Sequence, residues 1–421
     1  MKNLVVLGGG TAGTMAANKL RKELDALEWQ ITVVDRHDRH DYQPGYLFIP
    51  FGTYTPEEVT RSRRKYVTDD IPIVYGEIER VDAGARTVSL TNGTVLPYDQ
   101  LIIATGVTPR PDQTPGMDDE GSWYVDVFDF YTHEGATALA KKLASWQGGR
   151  LVVEVVEMPI KCPVAPLEFV FLAESFFTER GMRDKVDITY VTPLSSAFTK
   201  PICSERFGHL LADRHIGLEA DYMVERVDSA EKKLVSYDER EVSYDLLVTV
   251  PLNMGADFVA RSGLGNELNL VPVDKHTLLS TTYDDIWALG DANDIPASKA
   301  GSVAHFEIEV FVENFLDHVA GKDMTGSFDG HANCFVETGY GKAMLIDFNY
   351  DTEPLPGKFP MPGVGPMSLL KETKVNHLGK LAFRWAYWNV LMPGRPMPIG
   401  AAMSMAGKDV PETVAATPAS F

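Results

Sequence analysis

Met1-Lys2-Asn3-Leu4-Val5-Val6-Leu7-Gly8-Gly9-Gly10-Thr11-Ala12-Gly13 opens the chain, a helix-like run from Thr14 to Leu27 follows, and Ile31-Thr32-Val33-Val34 ends in Asp35. This is the order of a dinucleotide-binding βαβ unit: strand, glycine turn, helix, strand, acid. Backbone N–H groups must approach a pyrophosphate at the turn, so Gly8 and Gly10 stand where a side chain would intrude. Gly13 lets the helix lie close on the strand, and the helix N-terminus favours the anion. Asp35, 22 positions after Gly13, is expected to take ribose hydroxyls. The motif alone leaves FAD and NAD open.

Two intertwined α/β domains are expected from 421 residues. A net charge of −20 with scattered Lys and Arg argues against a nucleic-acid partner. No run reaches the ~18 apolar residues of a membrane-spanning helix, and the first strand begins at Asn3 with no signal peptide ahead of it, so a cytoplasmic protein is expected. Three cysteines in such a chain do not make a disulfide framework, which leaves Cys162, Cys203 and Cys334 as buried or reactive thiols.

Further along, Tyr42 to Gly52 is an aromatic loop with two prolines, either packing against a neighbouring domain or forming a wall of a flavin site. It holds no cysteine, so a flavin there would be non-covalent. The strand Tyr98 to Ile103 runs into Ala104-Thr105-Gly106 and Pro109, a second fingerprint of two-dinucleotide flavoproteins, where the chain crosses to the next domain. Tyr244-Asp245-Leu246-Leu247-Val248 echoes that strand, which supports two similar domains. Asp129 to Ser145 and Lys200 to Asp221 read as helices. The run Ile286-Trp287-Ala288-Leu289-Gly290-Asp291 is expected to deliver Gly290 and Asp291 to a helix N-terminus, where Asp291 binds ribityl hydroxyls. Lys299-Ala300-Gly301 and a helix from Val303 to His318 follow.

Arg150 to Val156 is the first strand of a second βαβ unit, and a pyridine-nucleotide site would need a second glycine turn there. The chain has instead Glu157-Met158-Pro159-Ile160-Lys161-Cys162-Pro163, with no glycine between Gly149 and Gly181. Prolines lack the N–H donor and Glu157 repels phosphate, so the second domain has kept the fold and lost the NAD(P)H site. Cys162 is then expected at the end of a strand at the domain crevice, and Cys334 belongs to another segment expected around the isoalloxazine ring. The pair reads as a redox-active disulfide or as two unrelated buried thiols. Near the C-terminus, Leu378, Leu381, Ala382, Trp385, Trp388 and Met392 recur at three and four, with Lys374, Lys380 and Arg384 to the sides. That pattern fits a helix lying in one membrane leaflet, or one docked on the protein's own core.

On these motifs the chain resembles the sulfide:quinone oxidoreductases, which share their fold with flavocytochrome c sulfide dehydrogenase and the type II NADH dehydrogenases. The residues that carry the resemblance are Gly8 to Gly13 with Asp35, Ala104-Thr105-Gly106, Cys162 with Glu168 six residues on, Gly290-Asp291, Lys299-Ala300-Gly301 and Asn333-Cys334-Phe335. The resemblance implies non-covalent FAD held by Gly8, Gly10, Gly13, Asp35, Ala104, Thr105, Gly106, Gly290, Asp291 and Lys299, with Cys162, Cys334 and Glu168 catalytic and no metal. It further implies a cycle in which hydrosulfide attacks a Cys162–Cys334 disulfide or polysulfide bridge and two electrons pass through the flavin to quinone. Glu168 would be the general base. A third cysteine of some members has no counterpart around Ser122 to Val125, so the chain is similar to the two-cysteine members and Cys203 takes no catalytic role.

The fold expected is α/β, with two Rossmann-like domains and a C-terminal amphipathic membrane-binding segment. The expected divisions are 1–110 for the first FAD-binding part, 111–255 for the second domain, 256–350 for the return to the FAD domain, 351–400 for the membrane and quinone segment, and 401–421 for a flexible tail. A homo-oligomer on the inner face of the plasma membrane, taking sulfide and quinone, completes these expectations. The rival readings are a type II NADH:quinone oxidoreductase-like enzyme or another flavoprotein persulfide or disulfide reductase.

Overall fold

The computed structural model describes residues 1–397 and 399–410. Its first sheet has five strands in the order Ile286–Ala288, Gln100–Ile103, Lys2–Leu7, Trp29–Asp35 and Ile73–Tyr75, all parallel. Leu7 lies beside Val34 on one side and Ile103 on the other, so Gly8 and Ala104, just after their strands, and Asp35, the last residue of its own, meet at one sheet edge. Ligands of open α/β sheets bind at that carboxyl edge. Helix α1 (Thr11–Glu23) starts directly after the glycine turn, three residues before the expected start, with Gly10 as its N-cap. It buries Met15, Ala16 and Leu20 on the sheet, the stripe expected of an amphipathic helix.

The second sheet repeats the architecture with Val127–Phe128, Leu246–Val250, Gly149–Val155, Val186–Val191 and Gly217–Glu219, again parallel. Helix α2 (His133–Ser145) is capped by Thr132, whose hydroxyl accepts from the Gly135 N–H, four residues later than the start expected at Asp129. Helix α3 (Ala165–Glu179) follows Cys162 after a short turn. Helix α4 (Pro201–Asp213) is shorter than expected, because His215 takes a positive φ of 52° and Gly217–Glu219 becomes an edge strand. The two domain crossings pair with each other: Val107–Arg110 is antiparallel to Leu252–Gly255. The echo between the two Tyr-Asp strands is thus the place where the chain passes back.

Gly290–Ala292 is a 3-10 turn, and helix α5 (Gly301–Val319) begins nine residues after it. Gly290 and Asp291 therefore do not stand at a helix N-terminus as expected. Beyond α5 a four-stranded sheet in the order Ala332–Gly339, Lys342–Phe348, Gly365–Leu369, Gly357–Met361 lays its first strand across α3. Helix α6 (Lys374–Ala386), capped by the Thr373 hydroxyl, covers this sheet and runs into a π-helical turn, Tyr387–Leu391.

Two C-terminal expectations are corrected. The apolar positions of 378–392 do not form one interfacial face. Trp388, Leu391 and Met392 are buried, and Trp388 packs on Tyr66 and His40 with ring centroids 4.8 and 5.3 Å away. Asn18 ties this turn to α1 by donating to the Met392 carbonyl at 2.6 Å. Only Val375, Leu378, Ala382 and Trp385 remain as an exposed stripe, recurring at three, four and three. The second correction concerns the start of the tail. Lys408 is buried and its ammonium lies 2.5 Å from Asp347 Oδ2, while the Lys358 N–H donates to the Gly407 carbonyl at 2.8 Å. Residues 407–409 are docked on the body of the protein; 398 and 411–421 lie outside the described residues.

Candidate active site

At the carboxyl edge of the first sheet the glycines have separate reasons. Gly8 has φ +93° and a Cβ there would fall 2.5 Å from the Ala104 carbonyl oxygen; a Cβ on Gly13 would fall 1.8 Å from that of Gly8. A Cβ on Gly10 or Gly106 would meet no protein atom within 4 Å, so those positions border open space. The N-terminus of α1 has no side-chain cap and no acidic residue in its first turn, which leaves its N–H groups for an anion. The Thr105 hydroxyl is buried without a protein partner. Asp35 is more committed than expected: Oδ2 accepts from the Gly9 N–H at 2.8 Å and lies 2.7 Å from the Arg63 guanidinium. Arg63, 4% exposed, is a buried cation that no local pattern marks, since it opens a short 3-10 turn, Arg63–Lys65, among three other bases, Arg61, Arg64 and Lys65.

The Gly290 turn is tied inward. Its N–H donates to Glu307 Oε2 at 2.7 Å, and burial pushes the Glu307 carboxyl up to about 7. Burial likewise raises the Asp291 carboxyl, with Lys299 and Lys161 opposing. The Lys299 ammonium donates to the carbonyls of Asp291 at 3.1 Å and Asn293 at 2.6 Å, so it holds the turn. Its own carbonyl accepts from the Cys162 N–H at 2.5 Å, which joins this turn to the cysteine loop.

Cys162 is not at a strand end as expected. It sits in the turn before α3 with φ 49°, a left-handed conformation that a non-glycine residue takes only when its surroundings hold it there. Its carbonyl accepts from the Tyr131 hydroxyl at 3.0 Å. Cys334 lies on the strand that crosses α3, opposite Ile346. Cys162, Cys203 and Cys334 are all free thiols, the first and last half-buried and Cys203 fully buried. Burial pushes the Cys162 thiol well above its ordinary value; Glu168 and Cys334 add to the rise and Lys380 opposes it. The Cys334 thiol is pushed up to about 12 by burial, with Ser302 opposing, Glu168 adding and Lys380 opposing. Cys162, Cys334, Glu168 and Lys380 thus lie within electrostatic range of one another. Burial also raises the Cys203 thiol to about 12.

Glu168 is fully buried on the first turn of α3. Its Oε1 accepts from the Glu337 N–H at 2.6 Å and from the Lys380 ammonium, and Oε2 has no protein partner. Burial raises its carboxyl while Lys380 pulls it down. Burial works against the Lys380 ammonium, yet Glu168, Glu337 and Cys162 hold it above its ordinary range. Lys380, read from the sequence as a flank of an interfacial helix, therefore points into the site. The signal that was available is its place on α6 between Val375, Leu378 and Trp385, the residues left exposed, and the buried sheet side.

The pyridine nucleotide-disulphide oxidoreductase family model matches residues 2–306, most of the chain. The chain belongs to that family. Among its relatives, a mitochondrial sulfide:quinone oxidoreductase of Schizosaccharomyces pombe is 25% identical over 416 residues, covering 92% of this chain and 89% of that protein. The solved sulfide:quinone oxidoreductase of Aquifex aeolicus superposes with TM-score 0.77 at 21% identity, covering 92% of each chain. A type II NADH:quinone oxidoreductase of Staphylococcus haemolyticus is 31% identical, but over 120 residues, 28% of this chain and 29% of that protein.

A flavin of this oxidoreductase family fits the residues present: the open borders at Gly10 and Gly106, the uncapped α1 N-terminus and the unpartnered Thr105 hydroxyl form a cradle for a dinucleotide. Gly13→Ala is expected to break it, because a Cβ 1.8 Å from the Gly8 carbonyl must push α1 off its strand. The expected outcome is protein purified with little flavin and destabilised by about 1–3 kcal/mol, read from visible absorbance per protein and from urea unfolding. A Gly13→Ala protein with full flavin content would show that the close approach is not needed.

Proposed function

We propose that the protein oxidises sulfide to sulfane sulfur or polysulfide and passes two electrons to quinone through FAD. The observation that carries this reading is the replacement of the second glycine turn by Cys162, in electrostatic contact with Cys334, Glu168 and Lys380. Similarity to sulfide:quinone oxidoreductases along nine-tenths of the chain supports it.

When bound, the flavin supplies a two-electron acceptor beside the cysteines and a donor to quinone. The chain's own residues do the rest. Hydrosulfide attacks one sulfur of a Cys162–Cys334 disulfide or polysulfide bridge; the S–S bond breaks, leaving a persulfide on one cysteine and a thiolate on the other. In a pocket where burial disfavours both thiolates, Lys380 is the cation that stabilises the leaving sulfur. Glu168, whose carboxyl burial has raised, takes the persulfide proton. Lys299 and Tyr131 hold the Cys162 turn in place.

Among the described residues no helix is long and apolar enough to cross a membrane. The exposed stripe of Val375, Leu378, Ala382 and Trp385, flanked by Lys371 and Lys374, supports a peripheral contact with an anionic lipid surface, on the inner face of the plasma membrane in our reading, from which quinone enters. Anaerobic stopped-flow mixing tests the function: sulfide should bleach the flavin and a soluble ubiquinone analogue should restore its colour, while NADH should leave it unchanged. Bleaching by NADH and not by sulfide would establish the type II NADH dehydrogenase reading instead.

A further inference from the structure

Oxidation of one hydrosulfide by one quinone, HS– + Q + H+ → S(0) + QH2, consumes a proton. Two electrons leave sulfur and reach the quinone; its two new O–H bonds take the hydrosulfide proton and one from solvent. Buried at 0% exposure, Glu168 cannot collect that proton from water directly.

A line of titratable groups leads outward from it. Glu168 Oε1 holds the Lys380 ammonium and the Glu337 N–H. Lys380 also donates to the Phe335 carbonyl at 3.1 Å, on the strand that carries Glu337. The Glu337 side chain, 1% exposed, meets α6 as well, where His377 Nδ1 lies 3.0 and 2.9 Å from its two oxygens. His377, 22% exposed, reaches solvent. It precedes Lys380 by three residues, so the two share one face of α6. Around the imidazole stand Glu337 from the crossing strand and Lys380 from its own helix; the Tyr54 phenol of the aromatic loop lies near both Lys380 and Glu337. The Glu337 hydrogen bond holds the imidazole above its ordinary range, against burial and Lys380. The same helix carries the exposed apolar stripe.

We propose that His377 and Glu337 are the proton inlet of this site, drawing from solvent the one proton per turnover that quinol formation consumes and delivering it toward the Lys380–Glu168 pair. The inference rests on the sulfide:quinone reading. In each cycle the Lys380–Glu168 pair gives up one proton to the quinol, His377 supplies the replacement by way of Glu337, and water recharges the imidazole. A partly exposed imidazole suits this work, because its protonation changes near neutral pH.

The test uses the flavin-loaded full chain and its His377→Gln variant, with sulfide bleaching and quinone-driven reoxidation followed separately. The expected result is bleaching within twofold of the parent and reoxidation slowed roughly tenfold or more at pH 8. The deficit should close as pH falls, when water supplies protons unaided, and imidazole in the buffer should restore the rate. Independently of turnover, the His377 ring signal in 15N-histidine NMR should titrate above the ordinary value of about 6.5 and fall toward it in Glu337→Gln. Parental reoxidation in His377→Gln at every pH overturns the inlet, as does a slowing that neither pH nor imidazole relieves. Failure of sulfide to bleach the parent sinks the sulfide reading alone, since reoxidation after photoreduction still reports on the inlet.

Discussion

Cys162→Ser and Cys334→Ser are each expected to abolish bleaching of the flavin by sulfide, a loss of roughly a thousandfold or more in the single-turnover rate. Serine preserves size and leaves both half-buried positions filled, so flavin content and unfolding midpoint should stay near those of the parent. What it removes is sulfur chemistry, because a hydroxyl forms neither a disulfide nor a persulfide. The environment makes this severe: burial raises both thiols, and of the charged groups that act on Cys162 it is Lys380 that favours its thiolate. No spare nucleophile stands ready. Cys203 is fully buried and its thiol is pushed up to about 12, so Cys203→Ser should bleach at the parental rate. Unchanged bleaching in both Cys162→Ser and Cys334→Ser would end the cysteine mechanism, and full loss in Cys203→Ser would require a third sulfur in the cycle.

Lys380→Met is expected to carry the largest stability loss, about 3–5 kcal/mol at pH 8, the usual consequence of removing one member of a buried ion pair. Glu168 has no exposure, and without Lys380 it retains only the Glu337 N–H and Lys380-independent packing. The pH dependence identifies the cause. Burial already raises the folded carboxyl above its unfolded value of about 4.3, and removing the cation raises it further. A carboxyl whose folded value exceeds the unfolded one is most compatible with folding below the unfolded value, and stability falls as pH rises toward the folded value. The deficit against the parent should therefore be small near pH 5 and grow toward pH 8. The parental ammonium, held above its ordinary range, stays charged throughout that window and does not confuse the comparison. Guanidinium unfolding at both pH values measures the difference, and Glu168→Gln added to Lys380→Met should recover much of it. Equal deficits at both pH values would mean that Lys380 contributes packing rather than charge.

The glycine turn, the acid at the end of the second strand, the Ala-Thr-Gly crossing and the Gly290-Asp291 turn were all readable because each is local: the spacing of a few residues states the backbone geometry that a phosphate needs. The missing second turn was equally readable, since proline and glutamate after Val156 are incompatible with a pyrophosphate wherever the rest of the chain goes. Less legible were features that depend on what covers them. Strand and turn point to a helix N-terminus at Asp291, while the eleven residues from Gly290 to Ala300 hold no α-helix and the lysine among them folds back on the turn. Trp385 and Trp388 read as one apolar face, but the π-helical turn at Tyr387 rotates the second inward onto His40 and Tyr66. Lys408 looked like the start of a loose end, and a carboxylate 61 residues earlier holds it.

The amino-acid sequence by itself determined two nucleotide-binding halves, one retaining its anion cradle and the other exchanging it for a cysteine, because steric and hydrogen-bonding demands at a turn are met or refused within a dozen residues. Only the tertiary structure decided that Glu168 is answered by Lys380, 212 residues away, and that His377 and Glu337 stand behind them. The physical reason is that a buried charge is specified by its counter-charge, and the strand and helix bearing those partners reach α3 only when the third sheet folds across it.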